Sequence, residues 1–516
     1  MATVLDQRAV PRRTPVPPRP APGWLIGVGL LLLALVPRLI GLTADLPVLH
    51  HPDEPANLRI VDAMVTSGDP NPHFFNYPSL FFYLHAALHL DGPLLGWLPG
   101  LGELPPVTQV MGVSYAPTSG SVLLHRGLTV GLGVLVVLVG WATTRRLGPG
   151  LLPAAVTAVL LALSPTLVTH SRLVTPDMLA GLLVAVAVLV SVWLLQSGCW
   201  PAYLVAGLAV GLAVSAKYTA VVAAVPVLLA ALLSGRVRRA VLGLPLAGSC
   251  ALGAFLVTTP YALLDRRAFG QGLRFERAHY ATGHDGMEGD SLAFYATHLA
   301  TRETVLVALA LAGLIAVGTG ARQHWRAAVV VASFPVVYGA VVAMQAVRND
   351  RTILLLLPPL AVLAGLAVPP LLRWAGGRRR PACGLVAAAV LATALLAVQV
   401  AGTFPRPGPS TWTAASRWLD AHAKPGAGLL IESYAPWPDP ARYRVMTRVR
   451  LIDGAALPPG VDYVVASETM YGRYTGAPAR YPAAAAAYQR LFGDLREVAS
   501  FAEGTGPRIR VFQVSG

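Results

Sequence analysis

Charge is the scarcest resource in this sequence. Only 13% of its 516 residues are Asp, Glu, Lys or Arg, against 55% hydrophobic. Soluble globular chains carry roughly 25% charged residues, so much of this surface cannot face water. Cysteine is nearly absent. Cys199, Cys250 and Cys383 stand far apart in or beside apolar segments. That excludes a disulfide framework and a Cys-based metal site, and leaves them as small apolar side chains. Acidic residues are also few, 25 against 40 Lys and Arg, for a formal charge of +15. Basic loops on the cytoplasmic side of a membrane account for this excess, and nucleic acid is not expected as a partner.

What is present is apolar runs of the roughly 20 residues a bilayer requires. Eleven are read as spans: 24–42, 122–142, 151–168, 178–196, 200–216, 219–234, 240–258, 303–320, 326–345, 352–372 and 383–403. Residues 1–23, rich in Arg and Pro, are expected to form a disordered cytoplasmic tail. The run 77–98 is apolar but carries His85, His89, Asp91 and Pro93. If it does not span, Arg145, Arg146, Arg236, Arg238, Arg239, Arg322, Arg326, Arg373 and Arg378 to Arg380 all fall inside. It is therefore expected to lie along the outer interface, apolar faces in lipid and His and Asp upward. A multi-span domain over 24–403 would then be followed by an outward-facing α/β domain over 406–516. Its strand-like runs are 429–433, 463–467 and 509–514. This orientation places the protein in the plasma membrane with a cytoplasmic N-terminus.

The polar residues gather at the outer ends of the spans. His51-Pro52-Asp53-Glu54-Pro55 follows the first span, with two carboxylates held between prolines. The same loop continues through Asn76-Tyr77-Pro78, an aromatic segment suited to a lipid interface. Arg172 and Asp177 lie in a short outer turn, where Asp177 also suits a helix N-terminus. Lys217 sits between two nearly abutting apolar runs; snorkelling to the interface is its simplest alternative use. Arg348 and Arg351 flank Asn349-Asp350 and break the positive-inside pattern. They can pair locally with Asp350, or hold a phosphate through charge-assisted hydrogen bonds. His279, His284, Asp285 and Glu288 lie in one loop without the spacing of a defined metal motif. The sequence thus requires no cofactor, and a divalent metal has no support.

A carboxylate to take a proton and cations to hold a phosphate suit transfer of a sugar from a polyprenyl-phosphate donor. The acceptor hydroxyl is a poor nucleophile and needs a base, whereas the acidic leaving group needs cations. A base opposite the leaving phosphate would invert the anomeric centre. In sequence order, His51 to Asn57, Phe75 to Leu84, His170 to Leu183 and Gly207 to Ala220 resemble the GT-C class of membrane glycosyltransferases. The likeness is to the branch of protein O-mannosyltransferases and the lipid A aminoarabinose transferase, over Trp24 to about Leu366. It implies Asp53 as base, supported by Glu54 or Asp177. It also implies outer cations on the donor phosphate, with Arg348, Arg351, Lys217 and Arg172 as candidates. His51, Asn76, Tyr77 and Pro78 would dock lipid or acceptor. Related enzymes often carry Lys-Pro-Pro where Asn76-Tyr77-Pro78 stands here, so that lysine's role is not transferable. The acceptor is open among protein, lipid and glycan, and the sugar between hexose and pentose. The competing reading is a transporter or flippase of a lipid-linked or anionic substrate. Such proteins tend to place polar groups near mid-bilayer, whereas these span interiors are nearly all Ala, Leu, Val and Gly.

Overall fold

The computed structural model describes residues 23–89 apart from 45, 47, 50 and 52, then 109–110, 117–319 apart from 149, 324–376, and 379–514 apart from 406, 407 and 455. The N-terminal tail, His50, Pro52 and residues 90–98 of the expected interfacial segment lie outside the described residues.

Six helices are long and apolar enough to cross a membrane: Ser119–Arg146, Asp177–Ser197, Val237–Thr258, Trp325–Ala343, Asp350–Trp374 and Gly384–Ala401. Ser291–Arg302 and Thr304–Gly318 qualify together but meet at 101°. Four shorter apolar helices join them: Gly27–Leu39, Leu151–Ala162, Trp200–Ala216 and Tyr218–Leu233. Burial separates centre from rim. Of the most apolar stretches, 83% of that in Asp350–Trp374 and 72% of that in Asp177–Ser197 is buried, against 17% for Val237–Thr258 and 11% for Gly384–Ala401. The rim helices thus expose long apolar faces that only lipid can cover.

Local chemistry sets where these helices stop and how closely they pack. Ser164 caps the helix Pro165–His170 by accepting from Leu167 N–H at 3.3 Å, with Pro165 at a position that needs no donor. Gly198, at φ 53°, ends Asp177–Ser197 in the left-handed conformation. Gly207 and Gly211, four apart on Trp200–Ala216, lie against Val237–Thr258 so tightly that a Cβ on either would overlap the carbonyls of Ala247 and Ala251. That contact fixes the helix whose next residue is Lys217.

Two short parallel strands, β1 (Val48–Leu49) and β2 (Gln109–Val110), tie the first loop together. Near the C-terminus a five-stranded sheet forms from β3 (Gly428–Glu432), β4 (Arg444–Arg448), β5 (Tyr463–Ser467), β6 (Arg496–Phe501) and β7 (Ile509–Gln513), in the order β4-β3-β5-β7-β6. β3 pairs parallel with β4 and β5, and β7 runs antiparallel to β5 and β6. One face packs on the helix Thr411–His422 through Leu429, Ile431 and Val465. The other packs on Glu468–Thr475 and Pro482–Asp494 through Leu430, Val464, Tyr474 and Tyr488.

The interfacial expectation needs one correction. Helix Leu80–His89 is packed into the protein, with Phe81, Phe82 and His85 at 0–1% exposure. His85 is not turned toward water; its Nδ1 lies 2.9 Å from Nδ1 of His125, sharing a hydrogen bond. A buried imidazole needs a partner, and the second helix supplies it.

Candidate active site

Four segments bring charge to one end of the bundle. Asp53 begins the helix Asp53–Ser67 and Asp177 begins Asp177–Ser197. Lys217 follows the last turn of Trp200–Ala216, and Arg351 lies in the 3-10 turn Asp350–Leu356 that enters Leu357–Gly376. The carboxylates therefore sit at helix N-termini, where the dipole favours negative charge.

Arg351 is the hub. Its guanidinium donates to Asp53, and its Nε stands 3.7 Å from Asp177 Oδ2. Lys217 Nζ is 2.5 Å from Asp177 Oδ1. Lys217 does not snorkel; it is 7% exposed. Asp350 turns away from the two arginines flanking it and stands 3.3 Å from His170 Nε2. The three carboxylates then differ in access. Glu54 is 0% exposed, Asp177 2%, while the Asp53 side chain keeps 28%. Of these three, Asp53 keeps the most access to solvent.

Glu54, placed with the catalytic group from its sequence position, has a different task. Both its oxygens accept from Arg126, at 2.9 and 2.7 Å, and Oε1 also accepts from Val174 N–H at 3.1 Å. Arg126 further donates to the carbonyls of Leu42 and Ala44 at 2.8 and 3.1 Å. Three hydrogen bonds and complete burial leave Glu54 no contact with solvent. It ties the Asp53 helix to the 170–177 turn, helped by Asn57 donating to Val174 O at 2.9 Å. His51 Nδ1 accepts from Asp53 N–H at 3.3 Å, at the start of that helix. Burial holds His51 below its ordinary pKa, and Arg351 and His170 add to this against Asp53 and Glu54. The neutral ring is the form able to accept that hydrogen bond.

Two of the four expected phosphate ligands stand elsewhere. Arg348 donates to the carbonyl of Met287 and lies 5.7 Å from the Phe294 ring centroid. Arg172 donates to Thr403 O and Pro37 O, each at 2.9 Å. Neither forms an ion pair with Asp53 or Asp177. Local backbone geometry, rather than charge type, decides which cations converge.

Beside the Lys217–Asp177–Arg351 cluster lies a cavity of about 250 Å³. Asn76, Tyr77 and Pro78 line it with Lys217, as do Glu276 and Tyr280 from helix Arg266–Thr282. Tyr77 is half-buried, and its desolvation raises its pKa and keeps its hydroxyl a donor. Glu276 makes no hydrogen bond or ion pair among the described residues, and burial pushes its carboxyl up to about 7 against the pull of Lys217 and Arg351. Sequence reasoning passed over Glu276, because its segment reads as a solvated, Arg-rich loop. Its amphipathic spacing was the available signal. In the same loop His279 and His284 contact each other through their rings, 4.6 Å apart. No group of three or more His, Cys, Asp or Glu able to hold a metal occurs among the described residues.

With this geometry in view, the comparisons can be placed. Residues 125–263 match the family model "dolichyl-phosphate-mannose-protein mannosyltransferase". ArnT from Cupriavidus metallidurans, in a crystal structure bound to undecaprenyl phosphate, superposes with TM-score 0.55 at 16% identity, covering 95% of this chain and 98% of that one. The chain has the GT-C fold. The Archaeoglobus fulgidus oligosaccharyltransferase is also similar, with TM-score 0.56 at 12% identity over 89% of this chain and 72% of that one. The same enzyme tethered to an acceptor peptide gives TM-score 0.54 at 13% identity over 95% and 74%. No curated protein sequence matches significantly. The resemblance read from the four motifs is thereby borne out, and the chain is a polytopic helical membrane protein. The stretch matched by that family model holds Arg126, Asp177 and Lys217, whereas Asp53 and Arg351 lie outside it.

Proposed function

We propose that this protein is an inverting glycosyltransferase. It would move a hexosyl or pentosyl group from a polyprenyl-phosphate donor to an acceptor hydroxyl on the extracytoplasmic face. The observation that carries the reading is the convergence of Asp53 and Asp177 on Arg351, with Lys217 alongside, at the mouth of a cavity walled by Tyr77 and Glu276. The GT-C fold supports it, as does the undecaprenyl phosphate bound by ArnT.

In this mechanism the donor phosphate binds at Lys217 and Arg351, and the sugar lies toward Asp53. Asp53 takes the proton of the acceptor hydroxyl as its oxygen attacks the anomeric carbon. The bond from that carbon to the phosphate oxygen breaks, and its electron pair leaves with the polyprenyl phosphate. The two cations stabilise the charge gained there. Attack opposite the leaving phosphate inverts the anomeric centre. Asp177 holds Lys217 and Arg351 in place. The outer placement of this end, and of the 406–516 sheet domain that could present an acceptor, follows from the distribution of arginines along the sequence.

The test is sugar transfer in membranes from radiolabelled polyprenyl-phosphate hexose and pentose donors, with wild type and Asp53→Asn at matched expression. The expected result is a loss of roughly a hundredfold or more in the variant, as for removal of a general base. A variant as active as wild type would remove Asp53 from that role. A wild type that moves such lipids across vesicles, and transfers none of their sugars, would establish the transporter reading instead.

A further inference from the structure

Two buried arginines have no carboxylate partner among the described residues. Arg38, on helix Gly23–Leu39, is 0% exposed, and Arg172 is 8% exposed. They interlock: Arg38 Nε donates to Ser171 Oγ at 3.1 Å, and Arg172 Nη2 donates to Pro37 O at 2.9 Å. Their other hydrogen-bond acceptors are backbone carbonyls, and the Arg172 guanidinium also lies 5.8 Å from the Phe404 ring centroid. Arg38 donates to Ala34, Ala162 and Leu161 at 2.7 to 3.1 Å, and Arg172 to Thr403 at 2.9 Å. No carboxylate lies in ion-pair range of either among the described residues. Nearby Arg126 shows the contrast, since Glu54 neutralises it. Carbonyls satisfy hydrogen bonds but supply no counter-charge, and two desolvated cations side by side are costly without one.

Arg172 also opens onto space. It lines a cavity of about 470 Å³, bounded by Thr169, Thr403, Phe404 and the turn Gly504 to Gly506 from the C-terminal sheet domain. Its Nε is buried and donates to nothing among the described residues. We infer that this cavity is an oxyanion site, in which Arg172, backed by Arg38, holds a phosphate-type group. A guanidinium with a free N–H edge is suited to phosphate oxygens. The site is separate from the Lys217–Arg351 cluster: neither residue lines this cavity, whose wall includes Arg126, already paired with Glu54. If the transferase reading holds, this is the acceptor side of the centre, and the acceptor or the lipid around it carries the anion.

The experiment reads binding, not transfer, so it stands whether or not the transferase reading survives. Full-length protein in phosphatidylcholine nanodiscs is unfolded thermally with increasing inorganic pyrophosphate, an anion expected to stabilise whatever folded state binds it. All variants carry Arg351→Gln, which removes the proposed donor-phosphate ligand, and in that background pyrophosphate should still raise stability. Adding Arg172→Gln should demand about tenfold more pyrophosphate for the same gain, as for loss of a hydrogen bond to a charged group. Adding Thr169→Glu, which builds an anion into the cavity, should make the protein more heat-stable than its Arg351→Gln parent without pyrophosphate and should abolish the response. This second variant decides the matter if Arg172→Gln does not fold. Discs containing phosphatidylglycerol separate the sources. A lipid headgroup would stabilise the Arg351→Gln parent but not Arg172→Gln without pyrophosphate, whereas a soluble anion would leave the two disc types equal. An Arg172→Gln variant that responds as its Arg351→Gln parent does, or a parent that gains nothing from pyrophosphate, overturns the site. So does a Thr169→Glu variant that still responds.

Discussion

Lys217 Nζ and Asp177 Oδ1 are 2.5 Å apart, with less than a tenth of either residue exposed. Sealed charges of this kind depend on each other. Lys217→Met strands Asp177, and Asp177→Asn strands Lys217. Each single change should cost roughly 3–5 kcal/mol, as when one partner of a buried pair is removed. The double variant should recover most of that stability, because a neutral pair leaves no charge unbalanced. Transfer activity should stay lost in all three if Lys217 binds the donor phosphate. Thermal unfolding alongside a transfer assay separates the two effects, and a double variant as unstable as the singles would contradict the pairing.

Arg351→Lys tests reach rather than charge. A lysine has one ammonium on a flexible stem, whereas the guanidinium presents a planar fork. The variant should keep its fold, yet lose roughly 10²-fold or more in kcat, the size expected when one donor to developing charge is removed. Steady-state kinetics with a fixed donor check this; near-normal turnover would show that a single positive charge suffices.

Glu276 should write a pH dependence onto donor binding. Its carboxyl is raised to about 7, with burial as the main cause. Below that pH it is mainly neutral; above it the cavity gains a negative charge beside the donor phosphate. Affinity for a polyprenyl-phosphate sugar should therefore weaken as pH rises through about 7. Glu276→Gln should flatten the curve at the low-pH level. Equilibrium binding at a series of pH values measures both, and an unchanged slope in the variant would assign the effect elsewhere.

Gly207 and Gly211 set a helix spacing that side chains cannot reproduce. Gly207→Ala should destabilise the fold by about 1–3 kcal/mol through overpacking. Gly253→Ala, on the facing helix, where a Cβ meets nothing within 4 Å, should change stability by no more than about 0.5 kcal/mol. The heat stability of purified protein in detergent or discs compares them directly.

Much of this centre is legible in the sequence because membrane proteins tolerate charge at few places. Asp177, Lys217 and Arg351 each stand at the end of an apolar run, and Asp53 in the loop after the first, so their convergence can be anticipated from alternating span direction. The strand-like runs at 429–433, 463–467 and 509–514 coincide with β3, β5 and β7, since alternating β-branched residues between turn signals have few other uses. The failures share one cause. Glu54 looks like a twin of Asp53, but one step along a helix turns it toward Arg126, a residue 72 positions away. Arg38 looks like an ordinary basic residue closing a span, and its burial depends on carbonyls at positions 161 and 162. Arg348 resembles Arg351, yet Met287 claims it. Residue type and spacing reveal where charge gathers, but not which distant partner absorbs it.

The Arg351 bridge has a consequence for the order of events. At rest, Asp53 and Asp177 are matched by Arg351 and Lys217, and the proposed base is occupied by a cation. An incoming phosphate competes for that same guanidinium, and drawing it away uncovers Asp53. On the transferase reading, loading the donor is what unmasks the base. An acceptor arriving first would find it muffled, and the enzyme would follow a compulsory sequence in which the sugar carrier enters before its recipient.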